Sequence, residues 1–492
     1  MVNFLSRRCL VALVILFLNA CTVGPNYTKP SVEIPSHYKE APKGWKVATP
    51  RDEQDRGEWW KIFHDSELDS LEAQLNIANQ NIIAAEANYR KACWLVKQAR
   101  SNYFPTISGL SSFFYAKKTP GFPQPVESLL FTPSWEPDLW GKVHRLVESS
   151  TAFAEASTAQ VAAIKLSSQA SLAQFYFEMR TLDRLQIILE SMVSSYQKSL
   201  QIAKKGYRSG HIAHTDMIQA ENQLQATIAQ AVHNGINRGQ YEHSIATLIG
   251  KPPANFAIKA NPLMKSPPAI PSQMPSALLE RRPDIAKAER EITQANAQIG
   301  IAIAAYFPNL RIATNGGYLT KGYSPIQISP VRSFAFGAAP MLFPAAQSWG
   351  VGAALTETVF DAGFRRATTQ AARANYDNAV ALYRQTILSA FQEVEDDLVA
   401  LRILKQEAIN REHAEKNARL ALKLIMDGYK SGMNSYTDVI VAQNILSQAA
   451  KDHADVNGLR MRAAVGLIKA LGGGWDGLQY YQPKKKITSK IH

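Results

Sequence analysis

A short turn that occurs twice constrains this chain more than any other feature of its sequence. Gly206–Gly210 leads to Thr215-Asp216, and Gly428–Gly432 leads to Thr437-Asp438, with 222 residues between equivalent positions. A glycine on either side of a tyrosine is typical of a helix that ends in the left-handed conformation, and a Thr-Asp pair can begin the next helix. The sequence therefore predicts two copies of one supersecondary unit, each folded back at a helix-turn-helix tip.

Each predicted tip follows a long segment in which apolar residues recur every three or four positions. The first copy shows this spacing at Ala156, Ala159, Ala163, Leu166, Ala170, Ala173 and Phe177. A sustained seven-residue repeat indicates coiled-coil packing, and alanine lets helix axes come close. As one helix, residues 142–205 would span about 100 Å, so the sequence predicts an elongated molecule.

Four shorter segments alternate apolar residues with small or polar ones, which is typical of β-strands. They are Ile107–Tyr115, Leu129–Glu136, Leu310–Tyr318 and Trp349–Thr356. One apolar and one polar face suit the wall of a membrane β-barrel. The alternative is a soluble hairpin packed on a core. That alternative is disfavoured because no neighbouring segment offers a free apolar face to cover the strands.

The N-terminus has the features of a secretory signal peptide, with a basic pair at Arg7-Arg8 and an apolar core at Leu10–Leu18. Leu18–Cys21 resembles a bacterial lipobox, which predicts that Cys21 is lipidated and becomes the first mature residue. A lipid there would tether the chain to a membrane without spanning it. The alternative is an ordinary cleaved signal followed by a chance cysteine. Thr22, in place of an aspartate, resembles sorting to the outer membrane.

Changes in composition and periodicity divide the chain into six segments. They are a signal peptide (1–20), an irregular strap (21–64), a first repeat (65–250), a proline-rich linker (251–282), a second repeat (283–472) and a basic tail (473–492). We expect a helix from Asp65 to Phe104 in the first repeat, and a helix starting near Pro283 in the second. The strap and the linker are expected to form a belt around the middle of the folded body.

The composition excludes several other classes of protein. The formal net charge is +13, but the basic residues are interspersed with carboxylates along the helices, which argues against nucleic acid binding. Once Cys9 is removed and Cys21 is modified, Cys93 is the last thiol, so no intrachain disulfide is expected. No nucleophile elbow, phosphate-binding glycine loop or metal-binding helix motif is found, so we expect neither enzyme activity nor a cofactor beyond the lipid.

The number of strands predicts an oligomer. Two hairpins supply four strands, whereas closed outer-membrane barrels begin at about eight. A single copy would leave strand edges unpaired in lipid, where backbone polar groups have no other partner. Several copies must therefore combine their strands. The fold class that we expect is a mixed α and β membrane protein with two internal structural repeats.

Three stretches resemble outer membrane efflux channels of the TolC and OprM type, and in particular their NodT-like lipoprotein branch. They are Cys21–Tyr27, Trp135–Gly141 and Pro275–Ile285, and the resemblance covers essentially the whole mature chain. It implies a homotrimer with a twelve-stranded barrel in the outer membrane, continued by an α-helical coiled-coil tunnel in the periplasm. It also implies a periplasmic adaptor protein and an inner-membrane transporter, usually of the RND class and otherwise ABC or MFS.

The same resemblance implies a gate at the helical tips. Tyr429 matches the gating tyrosine, Asp438 the aspartate of the constriction ring, and Asp216 its counterpart in the first copy. Asn434 stands where well-known members have an arginine, so the latch is expected to be weaker or to use Arg208 or Lys430. Both aspartates have plain helix capping as an alternative role.

The glycines of the tip turns, Gly206, Gly210, Gly428 and Gly432, are expected to present the surface on which the adaptor docks. His211 and His214 have a spacing that suggests a metal site, but an exposed turn with two histidines favours solvated residues instead.

The predicted function is that of a passive channel in the outer membrane that exports drugs or other small molecules. Two alternatives remain open. A type I secretion channel for polypeptides would share the fold, and a non-conducting coiled-coil surface lipoprotein would share the helices and the lipid.

Overall fold

The computed structural model describes residues 22–33, 35, 38–40, 56–116, 122–210, 212–263, 266–268, 282–319 and 348–473. The chain divides into two compact units. The strand unit comprises Met1–Ser31, Asn88–Ser157 and Lys287–Arg384, and the helical unit comprises Val32–Ala87, Thr158–Ala286 and Gln385–His492. No helix in the described ranges is long and apolar enough to cross a membrane.

Seven α-helices are found in the described part of the chain: α1 (Ser66–Ala78), α2 (Gln80–Ser101), α3 (Lys142–Arg208), α4 (His214–Leu248), α5 (Pro283–Ala304), α6 (Phe364–Lys430) and α7 (Tyr436–Ala470). The two longest, α3 and α6, have 67 residues each. The helices that follow them, α4 and α7, have 35 residues each. The long helices before each tip and the shorter helices after it are therefore as the sequence predicts.

The strand unit contains one antiparallel sheet with the order β1-β2-β3-β4. Its strands are β1 (Thr106–Ala116), β2 (Gln124–Trp135), β3 (Asn309–Leu319) and β4 (Ser348–Thr356). Each coincides with one of the four segments of period two, so the strand predictions are confirmed. The antiparallel pairing of β2 with β3 joins the two hairpins into one sheet.

The two faces of the sheet differ in chemistry. Residues that are directly paired across neighbouring strands point to the same face of the sheet. Phe131 of β2 is paired with Gly109 of β1 and with Gly316 of β3. The face of Phe131 also carries Ile107, Phe113, Tyr115, Leu129, Trp135, Val351 and Leu355, whose side chains are 39% to 71% exposed. The opposite face carries mainly small and polar residues such as Ser108 and Thr132, although the exposed Leu110 also lies there. The alternation read from the sequence is thus present in the fold.

The helical unit has its largest core where α1, α3, α4 and α7 meet. Trp60 and Phe63 are buried in this core, and the ring of Phe63 lies 4.9 Å from that of Phe177. Both residues belong to a 3-10 helix, Arg56–Phe63, where the sequence predicts an irregular strap. That expectation is wrong for these residues, because two tryptophans and a phenylalanine bury enough apolar surface to hold a turn of helix.

The first predicted helix is divided in two at Asn79. The Asn79 side chain accepts hydrogen bonds from the backbone N–H groups of Asn81 and Ile82 and donates one to the carbonyl of Leu248 at 2.8 Å. It therefore starts α2 and ties it to the end of α4. The prediction of one helix from Asp65 to Phe104 is wrong at this residue and at its C-terminal end, which lies at Ser101.

Candidate functional site

The predicted gate and docking residues lie where α3 turns into α4 and where α6 turns into α7, all within the helical unit. One hydrophobic cluster holds these ends together. Its buried members are Ile188, Met192, Tyr196, Leu200, Ala203, Ala220, Leu224, Tyr436, Val439, Ala450 and Ala454. The two tips therefore share a core, so that a change at one can reach the other through packed side chains.

The second glycine of each turn ends its helix. Gly210 has φ +74° and Gly432 has φ +79°, a conformation that costs side-chain-bearing residues roughly 1–2 kcal/mol. Their N–H groups donate to the carbonyls of Tyr207 and Tyr429, at 3.0 and 3.1 Å. Apart from its neighbours in the chain, no described residue has a heavy atom within 4 Å of the position that a Cβ would occupy at either glycine. Backbone conformation, rather than space, requires glycine there.

The first glycine of each turn lies within the helix and does not itself adopt a positive φ. Gly428 still takes part in the left-handed cap, because its carbonyl accepts from the N–H of Met433 at 2.8 Å. A Cβ on Gly206 would lie 3.2 Å from Ile212, and one on Gly428 would lie 2.5 Å from Nδ2 of Asn434. These glycines let the returning chain lie close against the end of the helix.

Asn434, where the resemblance implies an arginine, folds back on α6. Its Nδ2 donates to the carbonyl of Ile425 at 3.2 Å, and its backbone N–H donates to the carbonyl of Gly428 at 3.3 Å. The residue therefore closes the turn of its own chain.

The second tip begins its returning helix with a capping box. The Ser435 hydroxyl accepts from the N–H of Asp438 at 3.2 Å, while Oδ2 of Asp438 accepts from the Ser435 N–H at 2.9 Å. The Ser435 hydroxyl also donates to that oxygen at 2.7 Å. Hydrogen bonds from Ser435 lower the pKa of Asp438. The capping role weighed for Asp438 is therefore present.

The first tip lacks this cap. Ala213 precedes α4 at the equivalent position and makes no side-chain hydrogen bond. Thr215 and Asp216 are then residues within the first turn of the helix, as Thr437 and Asp438 are in α7. The Thr-Asp pair therefore lies at the start of each helix, but the capping positions are two residues earlier, at Ala213 and Ser435.

Asp216 instead faces the second tip. Burial and then the negative charge of Asp216 raise the pKa of Tyr429. Burial, Tyr429 and Asp216 together raise the pKa of Tyr436 to about 12. The structure thus brings two of the three predicted gate residues, Asp216 and Tyr429, into one electrostatic environment. Asp438 is exposed and engaged with Ser435.

Each tip also contains an aromatic pair that the sequence reasoning missed. The rings of Tyr429 and Tyr436 lie 5.6 Å apart, and those of Tyr207 and His214 lie 5.0 Å apart. The pairs occupy equivalent positions in the two copies, so the 222-residue offset already contained the signal. His211 lies outside the described residues, and no group of metal-ligating side chains occurs in the described ranges.

The two cations considered for the latch do not reach a predicted gate residue. Nζ of Lys430 lies 3.5 Å from Asp427 of its own helix, with both side chains exposed. Arg208 makes no ion pair with any described residue. A latch through either cation stays a prediction for the assembled protein.

Cys21 lies outside the described residues, but the chain just after it is firmly held in the strand unit. Arg145, which is 3% exposed, donates to the carbonyls of Val23 and Gly24 at 3.2 and 3.3 Å and to the side chain of Asn26 at 3.0 Å. Gly141 approaches Thr22 so closely that a Cβ would lie 2.8 Å from its Cα. The residue after the predicted lipid therefore has a fixed place beside the start of α3.

Comparison with known proteins decides the family. The chain matches the family described as outer membrane efflux protein over residues 71–251 and 274–473, which include every strand and nearly every helix described above. The chain belongs to the outer membrane efflux protein family. It is an outer-membrane channel protein of efflux systems, which confirms the resemblance drawn from its motifs. The family is one of transport channels rather than of enzymes.

Individual members resemble the chain over nearly its whole length. Nodulation protein T of Rhizobium leguminosarum bv. trifolii is 26% identical, covering 94% of this chain and 96% of the relative. The toluene efflux pump outer membrane protein TtgC of Pseudomonas putida is also 26% identical, covering 94% of this chain and 95% of the relative. The solved structure of the outer-membrane channel OprN matches with a TM-score of 0.79 at 26% identity, covering 93% of this chain and all of that one.

Proposed function

We propose that three copies of this chain form the outer-membrane channel of a tripartite efflux pump. The observation that supports this most strongly is the sheet, in which β1 and β4 are edge strands and one face carries exposed apolar side chains. Pairing β4 of one copy with β1 of the next would satisfy both edges, and three copies would close twelve strands. The helices would continue as a tunnel built from two repeats per copy.

A matched pair of substitutions tests the sheet as a membrane wall. Phe131→Arg places a charge on the apolar face, where it costs roughly 2–4 kcal/mol at the bilayer midplane. Thr132→Arg places the same charge one residue along, on the opposite face. We expect the first variant to give little heat-stable trimer in outer membranes and the second to assemble normally. Equal assembly of both variants would contradict a lipid-facing sheet.

Conductance tests the channel itself. The purified oligomer should conduct ions in planar bilayers, and its mass in detergent should be that of three chains. A non-conducting surface lipoprotein would give no current. A type I secretion channel would conduct, but deleting the gene would abolish export of a polypeptide rather than raise sensitivity to small toxic compounds.

The cargo would be drugs or other small molecules, delivered by an inner-membrane transporter through a periplasmic adaptor. Relatives of similar identity are named for toluene, for antibiotics and for cations. Because relatives named for such different compounds resemble this chain to a similar degree, we propose that the transporter selects the compound. The tips at Gly206–Gly210 and Gly428–Gly432 would dock the adaptor, with Asp216, Tyr429 and Asp438 as the gate.

The N-terminus would be lipid-anchored through Cys21 after removal of residues 1–20. The close contact between Thr22 and Gly141 supports a fixed position for the start of the mature chain. We expect Cys21→Ser to lose radiolabelled palmitate and, with a cleavable replacement signal, still to give some trimer. A palmitate label retained in that variant would exclude the lipoprotein assignment.

A further inference from the structure

A cavity of about 470 Å³ lies in the helical unit between α3, α6 and α7, beside the chain that follows the 3-10 helix Pro253–Asn255. Its walls include Arg184 of α3, Lys405 of α6 and Arg460 of α7. Its volume falls within the range of roughly 300–1,000 Å³ that is typical of small-molecule sites. Its lining residues do not include Asp216, Tyr429 or Asp438, the residues assigned to the gate.

Contacts between the helices place the three cations within about 8 Å of one another along the bundle axis. Gly458 lies against Thr181, and Ser447 donates to the sulfur of Met192 at 3.1 Å, so α3 and α7 run antiparallel. Arg184 follows Thr181 by about one turn of α3, and Arg460 follows Gly458 by two residues of α7, so the two arginines lie on either side of this contact and about 8 Å apart along the axis.

Two contacts between α6 and α7 set the level of Lys405 in the same way. Asp397 lies against Gly466, and the carboxylate of Glu415 accepts a hydrogen bond from Nδ1 of His453 at 2.8 Å. Lys405 lies about midway between Asp397 and Glu415 along α6. It therefore faces the part of α7 that carries Arg460.

None of the three cations has an acidic partner among the described residues. Arg460 makes one side-chain hydrogen bond, to the neutral oxygen of Asn457 at 3.1 Å. Its Nε is buried and has no hydrogen-bond partner in the described part of the chain. Burial lowers the pKa of Arg460, and no carboxylate offsets this effect. A buried guanidinium N–H without an acceptor is costly, so an acceptor is expected there.

The carboxylates that line the same cavity are paired with other cations. Glu412 accepts from Lys416 at 2.7 Å. Glu415 accepts from Arg419 at 2.7 Å and contacts His453. They leave Arg184, Lys405 and Arg460 as a local excess of positive charge.

We propose that this cavity binds an organic phosphate monoester, with the phosphate oxygens at Arg184, Lys405 and Arg460. Guanidinium groups match the geometry of phosphate oxygens and bind them with charge-assisted hydrogen bonds. Ser266 adds a hydroxyl donor to the lining, and Ile188 and Leu263 add an apolar wall for the organic part. The phosphate could be that of a lipid headgroup or of a free metabolite, which have the same chemistry at this site.

Isothermal titration calorimetry of the full-length protein in detergent tests the site with three probes: a water-soluble phosphatidate with short acyl chains, glycerol 1-phosphate and inorganic phosphate. We expect saturable binding of at least one phosphate ester, tighter than that of inorganic phosphate. A preference for phosphatidate would identify a lipid headgroup, and equal binding of glycerol 1-phosphate would identify a free ester. Butyrate at the same concentrations should bind at least tenfold more weakly.

Variants locate the binding. Arg184→Gln and Lys405→Gln should each weaken binding by about tenfold or more, since each removes a charge-assisted contact. Lys198→Gln, an exposed cation of α3 outside the cavity, should change nothing. The side chain of Lys405 is exposed, so Lys405→Gln should fold normally even if Arg184→Gln does not. Absence of saturable binding in the unmodified protein, or equal losses in all variants including Lys198→Gln, would overturn the proposal.

Discussion

Single residues make the two tips unlike each other. Asp438 is held in a capping box because Ser435 precedes its helix, whereas Asp216 has no such partner because Ala213 stands at the equivalent position. After burial, the negative charge of Asp216 then contributes to the raised pKa of Tyr429. One side chain before each helix therefore decides whether the acidic residue caps its own helix or acts on the other tip.

Ser435→Ala should loosen the start of α7. The variant removes the single hydroxyl that both accepts from the N–H of Asp438 and donates to its carboxylate. Loss of an N-cap should raise the amide exchange rates of the first turn of α7 roughly two- to thirtyfold. The pKa of Asp438 should rise toward its ordinary value of 3.8. In the unmodified protein this contribution to stability is present above that value and is lost as the pH falls through the lowered pKa.

The reciprocal variant, Ala213→Ser, serves as the matched test. Its new hydroxyl should cap α4 and draw Asp216 into a box like that of Asp438. The phenol of Tyr429 should then titrate at lower pH, measured by ultraviolet absorbance against a variant that lacks Tyr429. An unchanged titration would show that Asp216 does not face Tyr429.

Glu72 should make the helical unit less stable as the pH rises. Its side chain is fully buried, its carboxylate oxygens have no hydrogen-bond partner among the described residues, and burial raises its pKa to about 9. The folded state therefore keeps a proton that the unfolded state has lost, and stability falls as the pH rises from about 4.5 to about 9.

Glu72→Leu should remove this dependence on pH and increase the free energy of unfolding by about 1–3 kcal/mol at pH 8. The measurement is thermal unfolding of the purified protein at several pH values. Glu67→Gln, on the same helix, is the control. It should lower the free energy of unfolding, because Glu67 pairs with the buried Arg180 at 2.5 Å. A lower melting temperature for both variants would show that Glu72 has a partner in the folded protein.

At the scale of elements, the glycines that end α3 and α6 carry the turn. Gly210→Val and Gly432→Val should impair efflux more than trimer formation, since a β-branched residue is strained at positive φ. Gly235→Ala is the matched control, because Gly235 lies in the helical interior of α4 with open space around its Cβ position. Drug susceptibility of cells that carry each variant is the measurement. Normal efflux by both turn variants would contradict docking at the tips.

The elements that follow a repeating pattern were predictable from the sequence, and those that depend on contacts across the fold were not. The period of the apolar residues predicted α3, α6 and all four strands. The break at Asn79 depends on the carbonyl of Leu248, which is distant in the sequence. The 3-10 helix at Trp60 depends on a core assembled from four other helices. Likewise, the resemblance implied gate roles for Asp216, Tyr429 and Asp438, but it did not imply that Ser435 would cap its helix through Asp438.

At the scale of the whole molecule, the proposed trimer would bring three copies of each tip together around one axis. Like charges that converge in a confined space attract cations and repel one another. The closed channel should therefore favour cations and have low conductance. Acid should weaken this selectivity as the carboxylates become protonated.

Two sets of variants, measured in planar bilayers, distinguish the effect of the converging Asp438 carboxylates from that of the contact between Asp216 and Tyr429. Asp438→Ala should reduce the cation selectivity that reversal potentials report under a salt gradient. Asp427→Ala, which removes an exposed carboxylate from the last turn of α6, is the control and should change it less. Tyr429→Phe together with Asp216→Ala should instead raise the conductance, because the double variant removes the tyrosine hydroxyl and the nearby negative charge that acts on it. Unchanged selectivity in Asp438→Ala would show that the narrowest point of the tunnel does not lie at the capping box of α7.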